Sequence, residues 1–87
     1  MKRECEIRMV DFGSLRALVS VTIDGIEIRG FKVIDTGEGD EKQWVAPPSR
    51  EVIRDGKKEF YNIVRFEDQE TKKEFNNWIL EEFRRQT

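Results

Sequence analysis

Histidine is absent from this chain of 87 residues, and cysteine occurs once. With no Cys/His cluster there is no zinc-type centre, and Cys5 has no partner for an intrachain disulfide. General acid–base catalysis loses the side chain it uses most often. Also missing are a G-x-S-x-G elbow, a phosphate-binding loop and a dinucleotide fingerprint. The nearest glycine pair, Gly37-Glu38-Gly39, stands among acids that would repel phosphate. Cys5 has no aligned base to activate it. These absences point to a chain that is not an enzyme and that takes no cofactor and no metal.

Long apolar runs are missing too. Nothing approaches the ~18 consecutive apolar residues of a membrane span. Met1-Lys2-Arg3-Glu4 is not followed by the apolar segment of a signal peptide. The expectation is a soluble, cytoplasmic protein with no membrane partner. Its length fits a single domain, residues 1–87. A chain of this size buries only about 60–65% of its unfolded surface, so a homodimer is the expected source of further burial.

Charge is abundant but nearly balanced, with 16 basic and 18 acidic residues and a net charge of −2. Dedicated nucleic-acid binders are usually basic. The distribution is uneven, however. Residues 35–47 carry four acids and one base, whereas residues 48–66 carry five bases (Arg50, Arg54, Lys57, Lys58, Arg65) and three acids (Glu51, Asp55, Glu59). A local basic patch on an acidic chain can still attract an anion, because contact strength follows the local field.

Hydrophobic alternation outlines the elements. Residues 5–10 alternate as a first strand, followed by a loop at residues 11–14. Leu15, Ala17, Val19, Val21 and Ile23 then alternate with Arg16, Ser20, Thr22 and Asp24. Asp24-Gly25 is a type I′ turn signal, pairing Ile23 with Ile26 and Val21 with Ile28. Beyond Ile28 the apolar phase slips to Phe31 and Val33, which predicts a bulge at Arg29-Gly30. The acidic loop at residues 35–41 lacks the ligand spacing of an EF-hand and reads as solvated.

Gln43-Trp44-Val45-Ala46 forms a short strand stopped by Pro47-Pro48. The prolines should hold Ser49-Arg50 out of the sheet. Arg50 there is either a solvated turn residue or a contact point for an anion. Residues 50–58 are polar, with a turn at Asp55-Gly56. Residues 59–66 read as a last strand with apolar side chains on both faces, covered by a helix on one side and a partner on the other. Asp68 is the N-cap of a C-terminal helix whose stripe is Phe75, Trp78, Ile79 and Phe83, with Leu80 off its centre. The expected order is β-β-β-β-β-α: an α+β fold with one meandering antiparallel sheet, a bulged hairpin and one C-terminal α-helix.

Several stretches resemble the SpoVG family (stage V sporulation protein G, a septation regulator). They are Arg16-Ala17-Leu18-Val19-Ser20-Val21-Thr22, then Val33-Ile34-Asp35, and the Trp44-Val45-Ala46-Pro47-Pro48-Ser49-Arg50 block. Asp55-Gly56-Lys57-Lys58-Glu59-Phe60 and the helix at residues 71–85 follow in the same order. The resemblance implies a bacterial regulator: a homodimer joined through sheet strands that binds DNA and RNA through basic residues after the Pro-Ser step and on the C-terminal helix. It carries to Arg50 directly and to Lys72 and Lys73 through the early helix.

The resemblance is that of a divergent member. Glu51 stands where a second basic residue is usual, Pro47 where a methionine is, and Asn62-Ile63-Val64-Arg65-Phe66 replaces a segment containing His and Pro. Two functions stay open at this point. One is a dimeric nucleic-acid-binding regulator using Arg50, Arg54, Lys57, Lys58, Lys72 and Lys73. The other is a non-catalytic protein-interaction module on the same scaffold, motivated by the acidic balance, with Trp44, Phe66 or the last strand as its contact surface.

Overall fold

Two left-handed residues at one turn set the register of the main sheet. Asp24 (φ +48°) and Gly25 (φ +85°) form the expected turn, and Ile23 lies opposite Ile26, Val21 opposite Ile28. The computed structural model describes residues 2–37 and 42–86. Its elements are β1 (Arg3–Phe12), β2 (Leu15–Ile23), β3 (Ile26–Asp35), β4 (Gln43–Ala46), β5 (Ser49–Arg54), β6 (Lys57–Asn62) and α1 (Gln69–Arg85). β1 to β4 form an antiparallel meander in chain order, while β5 and β6 pair only with each other. The α+β class and the single C-terminal helix agree with the sequence reading. The acidic loop read as solvated falls mainly on residues 38–41, outside the described residues.

One face of the meander makes the core. Ala17, Val19 and Val21 of β2, Phe31 and Val33 of β3, and Val45 of β4 are buried against Ile79, Leu80 and Phe83 of α1. Burying each of these larger side chains contributes about 1.5–3 kcal/mol. Leu80 is buried despite lying off the centre of the helical stripe. Asp68 caps α1 by accepting a 2.7 Å hydrogen bond from the Thr71 N–H, which holds its carboxyl below the usual carboxylate range. At the other end Arg84 Nε donates to Gln43 Oε1 at 3.1 Å. Gln43 Nε2 donates to Asp35 at 3.2 Å, so β3, β4 and the end of α1 are tied in series.

The bulge falls where the phase slip placed it. Val19 pairs with Phe31 and Ser20 with Arg29, leaving Gly30 unpaired. The extra residue returns Phe31 and Val33 to the core face. Gly30 has φ +106°, and a Cβ there would lie 3.2 Å from Cβ of the buried Pro48. The missing side chain is therefore filled by the proline.

Three expectations need correction. The sheet is not single, because the prolines at 47 and 48 supply no ladder donors and the chain leaves β4 to start a separate ribbon. Ser49-Arg50 is out of the meander but begins β5, so there are six strands where five were expected. Residues 50–54 read as loop because a strand without a buried face lacks apolar alternation. The last strand is Lys57–Asn62 rather than residues 59–66.

Beyond that strand, Val64 and Phe66 turn onto the core. Phe66 meets Phe75 in a tilted pair with ring centroids 5.2 Å apart, and the Ile63 N–H donates to the Pro48 carbonyl at 2.8 Å. The helix does not cover the ribbon, and Phe60, Tyr61 and Ile63 are exposed.

Gly30→Ala is expected to lose about 1–3 kcal/mol in urea unfolding, from its strained φ and the proline contact together. Gly56→Ala, also at positive φ but with open space around it, should lose less. Equal losses would remove the Pro48 contact from the account.

Candidate nucleic-acid interface

The ribbon sorts its side chains by alternation. Arg50 lies opposite Tyr61, Val52 opposite Glu59, and Arg54 opposite Lys57. Residues directly opposite in an antiparallel pair share a face. Arg50, Val52, Arg54, Lys57, Glu59 and Tyr61 therefore occupy one face. Ser49, Glu51, Ile53, Lys58, Phe60 and Asn62 occupy the other. The Asp55-Gly56 turn, with φ of +50° and +75°, fixes this register.

Glu51, the sequence neighbour of Arg50, sits on the opposite face and pairs with Lys58 at 3.5 Å. It does not neutralise the arginine beside it. No described acid lies within ion-pair distance of Arg50 or Lys57. Arg54 Nε stands 3.8 Å from Glu59 Oε2, and its guanidinium carbon is 5.8 Å from the Tyr61 ring centroid. The Tyr61 hydroxyl donates to the same Glu59 oxygen at 2.5 Å. That bond, with a smaller contribution from burial, raises the phenol above its usual pKa. Arg50, Val52, Arg54 and Tyr61 together line an open hollow of about 300 Å³.

Of the six cations expected to act together, Arg50, Arg54 and Lys57 share a face and Lys58 does not. Lys72 and Lys73 diverge around the helix. Lys72 lines a hollow of about 260 Å³ at the base of the ribbon with Pro47, Asn62 and Arg65. Lys73 lines a groove of about 560 Å³ beside β4 with Trp44, Asn76, Asn77 and Arg84. Tyr61 had no place in the sequence-based site. Counting outward from the Asp55-Gly56 turn would have set it opposite Arg50, but only once β5 was recognised as a strand.

Cys5 is half-buried. Burial, reinforced by Glu82, pushes its thiol pKa up, which disfavours the thiolate. Among the described residues no group of three or more acidic or thiol side chains converges as a metal site. None of the described helices is long and apolar enough to cross a membrane.

Compared with known proteins, the family model SpoVG matches residues 2–85. No curated protein and no solved structure matches the chain.

Tyr61 is the one tyrosine in the sequence, so ultraviolet titration reads its phenol alone. It should ionise above the model-peptide value of about 10, and Glu59→Gln should bring it back toward that value. An unchanged titration in the variant would mean that Glu59 does not hold the ring.

Proposed function

The chain belongs to the SpoVG family, and from that premise we propose that it is a non-catalytic, homodimeric regulator that binds DNA or RNA in the cytoplasm through one face of the β5–β6 ribbon. The observation that carries this reading is the separation of chemistries across the ribbon. Arg50, Arg54 and Lys57 project from one face with Glu59 as its one acid, and Ile53 and Phe60 project from the other beside the Glu51–Lys58 pair.

Ile53 is 69% exposed and Phe60 67%. Large apolar side chains open to water on a two-stranded ribbon, itself marginal in isolation, favour burial against a partner. A second copy joined through these strands supplies that cover and leaves the cationic face free. Phosphate contacts of this kind are common to DNA and RNA.

One observation favours the second reading, a protein-interaction module. Arg54 and Lys58 already have carboxylate partners within the ribbon, while Trp44 is 49% exposed at the edge of the meander. Arg50 and Lys57, which have none, weigh toward nucleic acid.

The test is a fluorescence-anisotropy titration of random DNA and RNA pools at several salt concentrations. Replacing both Arg50 and Arg54 by alanine should weaken binding across sequences and flatten the log–log salt slope by about 1.5 to 2 units. Failure of the unmodified protein to retain either pool at low salt would end the nucleic-acid reading.

A further inference from the structure

We propose that the nucleic acid crosses the ribbon as a single strand, with one base stacked on the Tyr61 ring and neighbouring phosphates held by Arg50 and Arg54. This rests on the nucleic-acid reading above and names the form of nucleic acid that the site takes.

The geometry of one face carries the inference. Tyr61 is 45% exposed and directly opposite Arg50. Arg54, beyond the Val52–Glu59 pair on the same face, reaches back to the same ring. The hollow between them is lined by Val52 in addition to these three side chains. The ring is held, because its hydroxyl donates to Glu59 and the same carboxylate lies near Arg54. Arg50 and Arg54 are four residues apart on one strand, about 13 Å at strand rise. Arg54 folds back across part of that span, its guanidinium carbon 5.8 Å from the ring centroid, so one cation stands beside the ring and the other is based opposite it. A held aromatic ring between two guanidinium groups is the composition of a stacking platform, in which π-contact and charge act on successive parts of one strand.

The same face argues against duplex. In a duplex each base has both π-faces covered by its neighbours, so a tyrosine ring can stack only on a base that is already splayed out. Groove readers instead present amides or forked arginines to base edges. Here the side chains between the cations are Val52, Tyr61 and Glu59, whose carboxylate is engaged by Tyr61 and Arg54, while Asn62 lies on the opposite face with Ser49. The centre of the cationic face thus offers an apolar side chain and an aromatic ring, and no amide, beside a carboxylate that is already engaged.

The experiment compares a single-stranded oligonucleotide of about twelve nucleotides with a hairpin duplex of equal phosphate count. A 2-aminopurine at each successive position of the single strand reports stacking by loss of its fluorescence. The proposal expects tighter binding of the single strand and quenching at one or two positions. Tyr61→Ala should weaken that binding about tenfold with the salt slope unchanged, and Tyr61→Phe, which keeps the π-face and loses only the hydroxyl that holds it, should bind less tightly than the unmodified protein and more tightly than Tyr61→Ala. Arg50→Ala should lower the slope instead.

Equal or tighter binding of the duplex, no quenching at any position, or a Tyr61→Ala affinity like that of the unmodified protein would each overturn the stacking proposal. Nucleic-acid binding itself would survive those results. Absence of binding to either oligonucleotide at low salt would overturn both.

Discussion

The ribbon is set in place by the contact between Gly30 and Pro48. Gly30 is the unpaired residue of the bulge that keeps Phe31 and Val33 in the core. It is also the point where the chain, having left the sheet after β4, packs back onto it. A side chain at position 30 would meet the proline ring at 3.2 Å. The bulge corrects the hydrophobic phase of β3 and, at the same position, opens a seat for Pro48. From that seat β5 departs, and the return of the chain is closed by the Ile63 N–H on the Pro48 carbonyl.

The aromatic residues hold the chain where it leaves the base of the ribbon. Phe66 meets Phe75, which in turn contacts Phe31 at 5.3 Å and Trp78 at 5.6 Å between ring centroids. Arg3 lies over Trp78 at 4.5 Å, so β1 joins the same cluster. Pro48 and Phe66 anchor both chains of the ribbon at its base, and the strands project from there to the Asp55-Gly56 turn. Along them one face carries cations and the other carries Ile53 and Phe60. In the proposed dimer the two faces divide the work: the apolar face closes on a second copy and the cationic face stays open to nucleic acid.

Much of the fold was legible from residue pattern because it follows burial. The 24–25 turn, the Gly30 bulge, the Asp68 cap and the helical stripe all sit where alternation, glycine or a capping side chain placed them. β5 was hidden for the same reason. Alternation marks a strand by its buried face, and Ser49–Arg54 has no fully buried residue. The site was legible as a list of cations, but its grouping was not. Arg50 and Glu51 look like a cancelling pair in sequence, yet a strand sends them to opposite faces, where Glu51 meets Lys58 instead. Lys72 and Lys73 look like one patch, yet the helical turn sends them into different hollows. Tyr61 became a site residue only through cross-strand register.

The most direct test of the central claim is the solution mass, by light scattering during size exclusion, of the unmodified protein and of the Ile53→Glu, Phe60→Glu double variant. The account predicts the mass of two chains for the unmodified protein and of one chain for the variant, with the helical circular dichroism signal retained. A single-chain mass for the unmodified protein at every concentration, or a two-chain mass that survives both substitutions, would contradict it.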